Sequence, residues 1–167
     1  MKSGDKSEQF LLVISSNKGI IYKVSNSYCK NSENRNDLVQ EIIFQLWKSF
    51  ENYNQQYSHS TWMYRIALNV AISFYRRDKT HVSTPLTDNI LELIIEEEPG
   101  ELEENVRLLY QFINELDEMN KALMLLYLDD KTHKEMAEIL GITETNVATK
   151  IGRVKEKLKK KFSLVNE

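Results

Sequence analysis

The sequence predicts an all-α protein of two small helical domains joined by an acidic linker, the C-terminal one carrying a helix-turn-helix. Three observations lead there. Five glycines and two prolines in 167 residues are too few for the frequent turns of a many-stranded sheet. Apolar residues recur at helical spacing in both halves of the chain. Both prolines, Pro85 and Pro99, fall in one middle stretch, where eight acidic residues and no Lys or Arg lie between Asp88 and Glu104. The expected domains are therefore 1–79 and 102–167, with 80–101 as the linker.

A composition of 41% hydrophobic and 28% charged residues is that of a soluble globular chain rather than a disordered one. The longest apolar runs, 10–14 and 123–128, fall far short of the roughly 20 residues that cross a bilayer. No apolar signal segment follows Lys2 and Lys6. A cytoplasmic protein without membrane insertion is expected. The lone Cys29 excludes an internal disulfide and suits a reducing compartment, with the thiol buried or half-buried. His59, His81 and His133 lack zinc spacing, so neither metal nor cofactor is expected. The net charge of -3 hides an uneven distribution: nine Lys or Arg against four Glu lie between Lys131 and Lys161. That basic C-terminal segment is a candidate for phosphate contact.

From the N-terminus, Leu11, Ile14, Ile21, Val24 and Tyr28 keep helical spacing, with Asn17-Lys18-Gly19 as a break. Residues 31–36 read as a polar turn. An amphipathic helix over 37–50 follows, with Val39, Ile42, Ile43, Leu46 and Phe50 as its core stripe. Asp37, Gln40 and Glu41 share its outward face. Residues 52–60 form a polar loop with Tyr53 and Tyr57, and Ser60 is placed to cap a helix over 61–77. In that helix Met63, Ile66, Ala67, Val70 and Phe74 point inward, leaving Arg65, Asn69, Ser73, Arg76 and Arg77 as a polar basic stripe beside Trp62, Tyr64 and Tyr75. Aromatic rings stack unpaired bases and Arg supplies backbone charge, which is the chemistry of single-strand binding.

Within the linker, residues 90–95 are apolar enough for a short docked helix. Helices are expected near 102–115 and 117–128, then a closing pair. Thr132 and Glu135 have the spacing of a capping box, Met136, Ala137, Ile139 and Leu140 form an inward face, and Gly141 provides a left-handed turn. Thr143 caps the last helix, in which Val147, Ile151, Val154 and Leu158 make one buried stripe. Asn146, Thr149, Lys150, Arg153 and Lys157 share another face, as on the recognition helix of a helix-turn-helix.

With these residues in view, the chain resembles the extracytoplasmic-function group of the sigma-70 family of RNA polymerase sigma factors over nearly its whole length. Asp37-Leu38-Val39-Gln40-Glu41 with Leu46-Trp47 is similar to the polymerase-binding helix of region two. The run from Thr61 through Trp62, Met63, Tyr64, Arg65, Ile66, Ala67, Leu68, Asn69 and Val70 to Ala71 resembles the helix that reads and opens the minus-ten element. Glu135-Met136-Ala137-Glu138-Ile139-Leu140-Gly141-Ile142 resembles the region-four motif for the minus-thirty-five element.

The resemblance implies roles. Asp37, Gln40 and Glu41 meet the clamp helices of the largest polymerase subunit, and the flap of the second-largest engages region four. Asn69 contacts a flipped minus-ten base, with Arg65 and Ser73 on the same stripe. Trp62 and Tyr64 either support the melted strand or pack, and Arg76 and Arg77 hold backbone. Thr145, Asn146, Thr149, Lys150, Arg153 and Lys157 face the minus-thirty-five DNA. It also implies an anti-sigma partner, no catalytic residue, and a function in promoter selection and melting. The chain departs from the family where Gly-Thr-Val-Arg is usual and Thr145-Asn146-Val147-Ala148 stands, and where Leu-Pro is usual and Leu116-Asp117 stands. The family's minus-thirty-five sequence preference is therefore not carried over. Two rivals use less of the chain. A stand-alone helix-turn-helix regulator leaves 37–77 unexplained, and a helical adaptor needs neither basic stripe.

Overall fold

The computed structural model describes residues 3–53, 56–78 and 104–165, all of whose regular elements are helical. Backbone proximity divides the chain into two units, Met1–Glu96 and Glu97–Glu167. The division falls inside the acidic stretch 80–101, which lies outside the described residues together with the short helix expected at 90–95.

Unit 1 opens with α1 (Ser3–Ser16) and α2 (Lys18–Tyr28). They break at Asn17, whose side-chain amide donates to the Val13 carbonyl at 2.9 Å, taking a carbonyl at the end of α1 into a local bond. α3 (Ser32–Ser49) begins five residues before the expected start at residue 37, within the stretch 31–36 that reads as a polar turn. Asn31 is an N-cap, its Oδ1 accepting from the backbone N–H groups of Glu33 and Asn34 at 2.9 and 3.3 Å, so the polar run is the solvated first turn of the helix. Arg35 then reaches back, donating through Nε to the Cys29 carbonyl and through Nη2 to the Lys30 carbonyl. These bonds satisfy the chain leaving α2 and fix the α2–α3 turn.

A short 3-10 turn (Phe50–Asn52) leads toward α4 (His59–Asp78). Ser58, not Ser60, caps α4: its hydroxyl accepts from the Thr61 N–H at 3.2 Å. α2, α3 and α4 pack pairwise around Val24, Leu38, Ile42, Leu46, Met63, Tyr64, Ala67, Leu68 and Ala71. Two apolar stripes are corrected here. In α3 the buried residues are Leu38, Ile42 and Leu46, whereas Val39 and Phe50 are half-buried and Ile43 is exposed. In α4, Ile66, Val70 and Phe74 are only half-buried. Two neighbouring helices press on α4, so its core spreads over more of its circumference than a one-sided stripe.

Unit 2 comprises α5 (Glu104–Asn114), α6 (Glu118–Leu128), α7 (His133–Leu140) and α8 (Glu144–Val165). Phe112, Ile113, Leu116, Met124, Val154 and Leu158 form one cluster, with Leu108, Leu109 and Phe162 against it. Asp117, standing where proline is usual, caps α6 by accepting from the Asn120 N–H at 2.8 Å. α6 ends on Asp130, which has φ 60, while the Lys131 N–H donates back to the Leu126 carbonyl at 3.1 Å; this is the pattern of a Schellman motif. No helix among the described residues is long and apolar enough to cross a membrane.

Candidate nucleic-acid interface

In unit 2 the local chemistry sets the register of two helices. Thr132 Oγ1 accepts from the Glu135 N–H while Glu135 Oε1 accepts from the Thr132 N–H, each at 3.1 Å, completing the capping box that starts α7. Gly141 ends α7 in the left-handed region, with φ 70 and ψ 33, a conformation that costs a side-chain-bearing residue about 1–2 kcal/mol. Thr143 then starts α8, accepting from the Asn146 N–H at 3.0 Å. Val147, Ile151, Val154 and Leu158 are all buried, so the rotation of α8 is fixed.

The opposite face carries Thr145, Asn146, Thr149, Arg153 and Lys157 into solvent, with Lys150 half-buried at its edge. The Thr149 hydroxyl donates to the Thr145 carbonyl at 3.0 Å, which occupies its one donor hydrogen and leaves it an acceptor only. Ala148 and Gly152, both exposed, lie along a shallow groove of about 510 Å³ walled by Arg153, Glu156, Lys157 and Lys160. Where the family often has an Arg beside this groove, Ala148 leaves it open.

In unit 1 the α4 face is made differently. Arg65, Asn69, Ser73 and Arg76 are exposed and follow one line along the helix. Trp62 shares that line, two turns before Asn69, yet it is buried. Phe50 lies 6.0 Å and Tyr53 5.0 Å from its ring, covering it from the 3-10 turn. Tyr64 is 0% exposed and belongs to the helix core. Of the two alternatives for Trp62 and Tyr64, supporting the melted strand or packing, the burial of both side chains is that of packing residues. Tyr75 rests half-buried against Tyr28 at 6.4 Å. The outward aromatic group at this end is the Tyr53 and His59 pair, ring centroids 5.1 Å apart, with His59 exposed. His59 was weighed in the sequence only as a metal ligand. Its position between the loop residue Tyr57 and Trp62 is the signal that the sequence offers.

Asp37 and Gln40 are exposed and Glu41 half-buried on one face of α3, with Glu41 Oε1 accepting from Gln45 at 3.1 Å. They line an open cleft of about 540 Å³ together with Asn34, Phe44, Phe74 and Arg77. Phe44, 53% exposed, is a functional candidate that the sequence reading passed over. It occupies the turn after Gln40 and faces away from the buried Leu38, Ile42 and Leu46. Arg77 ends the α4 stripe but turns to this cleft, its guanidinium 5.8 Å from the Phe74 ring. No group of three or more His, Cys, Asp or Glu side chains among the described residues is arranged to hold a metal.

A helix-turn-helix in one unit and a basic helix flanked by aromatics in the other are the frame of a DNA-binding transcription protein. The chain belongs to the sigma-70 family of RNA polymerase sigma factors, in its extracytoplasmic-function group: Sigma-70 region 2 matches residues 13–81 and Sigma-70, region 4 matches residues 107–158. It is similar to the ECF RNA polymerase sigma factor SigW of Bacillus subtilis (strain 168), 26% identical over 177 aligned positions, 97% of this chain and 92% of that protein. It is 30% identical to the RNA polymerase sigma factor SigZ of the same organism over 124 residues, 74% of this chain and 69% of that protein. The fold resembles that of the sigma factor RpoE in complex with the anti-sigma factor NepR from Bartonella quintana, with a TM-score of 0.65 and 16% identity over 93% of this chain and 95% of that one. The protein is thus a sigma factor that directs polymerase to specific promoters.

Proposed function

We propose that residues 1–79 join core RNA polymerase and take the minus-ten element, that residues 102–167 take the minus-thirty-five element, and that 80–101 span between them. Asp37, Gln40 and Glu41 form the surface for the clamp helices of the largest subunit. Phe44 and Phe74 add an apolar wall, and a mixed acidic and aromatic cleft suits a basic helical partner. Arg77, which lines that cleft, joins the polymerase contact to the end of the DNA stripe.

On α4, Asn69 reads a base that has left the stack, and Arg65, Ser73 and Arg76 hold the strand around it. In unit 2, Asn146 and Arg153 reach base edges in the major groove, while Thr145, Thr149, Lys150 and Lys157 set the helix on phosphates. The polymerase flap engages this unit. An anti-sigma factor is a further partner, a reading supported by the likeness to RpoE, solved with NepR. The protein works in the cytoplasm and contributes promoter choice and melting, leaving RNA synthesis to the polymerase.

The observation that carries this reading is the single exposed line of Arg65, Asn69, Ser73 and Arg76 on a helix otherwise largely taken up by packing. An amide both donates and accepts, so Asn69 can pair with a base edge where alanine cannot. Holoenzyme carrying Asn69→Ala is expected to lose about 1–3 kcal/mol of base discrimination on a pre-melted promoter with each base in turn at the minus-ten positions. Unchanged preference removes Asn69 as the reader.

A further inference from the structure

Among the described residues of α1, Phe10 is the buried one, while its neighbours Leu11 and Leu12 are open to solvent. Its ring meets Trp47 edge-on at 5.1 Å and Phe50 at 5.4 Å. From Phe50 the contact passes to Trp62 at 6.0 Å, from Trp62 to Tyr53 at 5.0 Å, and from Tyr53 to His59 at 5.1 Å. A second tie runs beside the first. Lys6 places Nζ 4.4 Å from the Trp47 ring centre and 2.6 Å from Glu51, in the 3-10 turn. Its hydrogen bond and charge hold the Glu51 carboxyl below the usual carboxylate range. The Tyr53 N–H donates to the Phe50 carbonyl at 3.3 Å, closing that turn, and the Tyr53 hydroxyl donates to the Tyr57 carbonyl just before the Ser58 cap.

We infer that Phe10 is a positioning residue for promoter opening: through Phe50 and Trp62 it sets the Tyr53 and His59 rings as the stacking face for an unpaired minus-ten base. This rests on the reading of α4 as the minus-ten helix. Close-packed rings pass on a displacement because no slack lies between them. Removing the Phe10 ring opens a gap that Trp47 and Phe50 close by moving, and Trp62 and Tyr53 follow. Stacking tolerates any base, since every base has a π-face. Phe10 therefore controls how tightly an unstacked base is held, and Asn69 controls which base it is. The two effects separate in one experiment.

Holoenzymes with the full chain carry Phe10→Leu, Tyr53→Ala or both, and bind a promoter bubble with each base in turn in the minus-ten strand. Phe10→Leu is expected to weaken bubble binding about three- to tenfold, equally for all bases, with core-polymerase binding unchanged. In the Tyr53→Ala background the same change is expected to add nothing, because the path to the base is already cut. Lys6→Gln leaves the core intact and is expected to act in the same direction, about twofold, through Glu51 and Trp47. If Phe10→Leu does not fold, Lys6→Gln with and without Tyr53→Ala completes the same cycle. Wild-type bubble affinity in the folded Phe10 or Lys6 variant overturns the inference, as does an equal loss with and without Tyr53. A loss of base preference in Phe10→Leu overturns it too. Failure of Asn69→Ala to alter preference counts against the α4 reading instead.

Discussion

The two helices proposed to face DNA are built by opposite means. α8 buries one narrow stripe, Val147, Ile151, Val154 and Leu158, and gives nearly everything else to solvent. α4 packs against both α2 and α3 and is covered near its start by Phe50 and Tyr53, so between His59 at its first residue and Arg77 at its end the exposed residues are the line through Arg65, Asn69, Ser73 and Arg76. A helix that enters an intact major groove needs a wide free surface, whereas one that holds a displaced base needs a rigid, largely interior one. The contrast also explains the different aromatic content. α8 before Phe162 has none, and α4 with its approach is lined with rings.

That comparison can be broken first at the core. Leu38 is 0% exposed and Val39 half-buried, so Leu38→Ala is expected to destabilise unit 1 by about 2–5 kcal/mol and Val39→Ala by much less. The two tryptophans, Trp47 and Trp62, both lie in unit 1, so tryptophan fluorescence in a urea titration follows this unit selectively. Equal losses, or a larger one at Val39, would restore the stripe expected from sequence.

In unit 2 the equivalent weak points are turns. Gly141→Ala is expected to cost about 1–2 kcal/mol, because the backbone is left-handed there. Asp130→Gly relieves the same strain at the end of α6 and is expected to stabilise by only about 0.5 kcal/mol, since glycine gives part of the gain back as unfolded-chain entropy. Amide exchange across α6 and α7 measures both. A neutral Gly141→Ala would mean that the α7–α8 turn tolerates another geometry.

The same difference governs what could be read from the sequence. In unit 2 the capping pair Thr132 and Glu135, Gly141 and Thr143 are local signals, and the buried stripe of α8 is one-sided, so periodicity placed that stripe, whereas in α7 Met136 and Ile139 are buried and Ala137 and Leu140, expected on the same inward face, are only half-buried. Unit 1 was harder in three places. Asn31 to Asn36 is polar, and polarity resembles a turn until the Asn31 cap is seen to face the helix N–H groups. Leu38 and Val39 are adjacent apolar residues, and only the packing of α2 and α4 chooses between them. Trp62 lies on the DNA line by spacing, and its burial depends on Phe50 and Tyr53 arriving through a 3-10 turn that leaves no periodic trace. The helices themselves, their order and the exposed Asp37, Gln40, Arg65, Asn69 and Arg153 were legible because charge and periodicity agree there.

Whether the α4 and α8 faces carry separate tasks is tested in one crossed measurement. Holoenzymes with Asn69→Ala, or with Arg153→Ala plus Lys157→Ala, are titrated with two DNAs: a pre-melted minus-ten fragment and an intact duplex bearing the upstream element, across a range of salt. Asn69→Ala is expected to lose base preference on the melted fragment and to leave the duplex affinity alone. The α8 variant is expected to bind the duplex more weakly, with the salt slope reduced by about 0.9 for each phosphate contact removed, and to keep the wild-type preference on the melted fragment. If each variant impairs both DNAs to the same degree, the two faces do not have separate tasks.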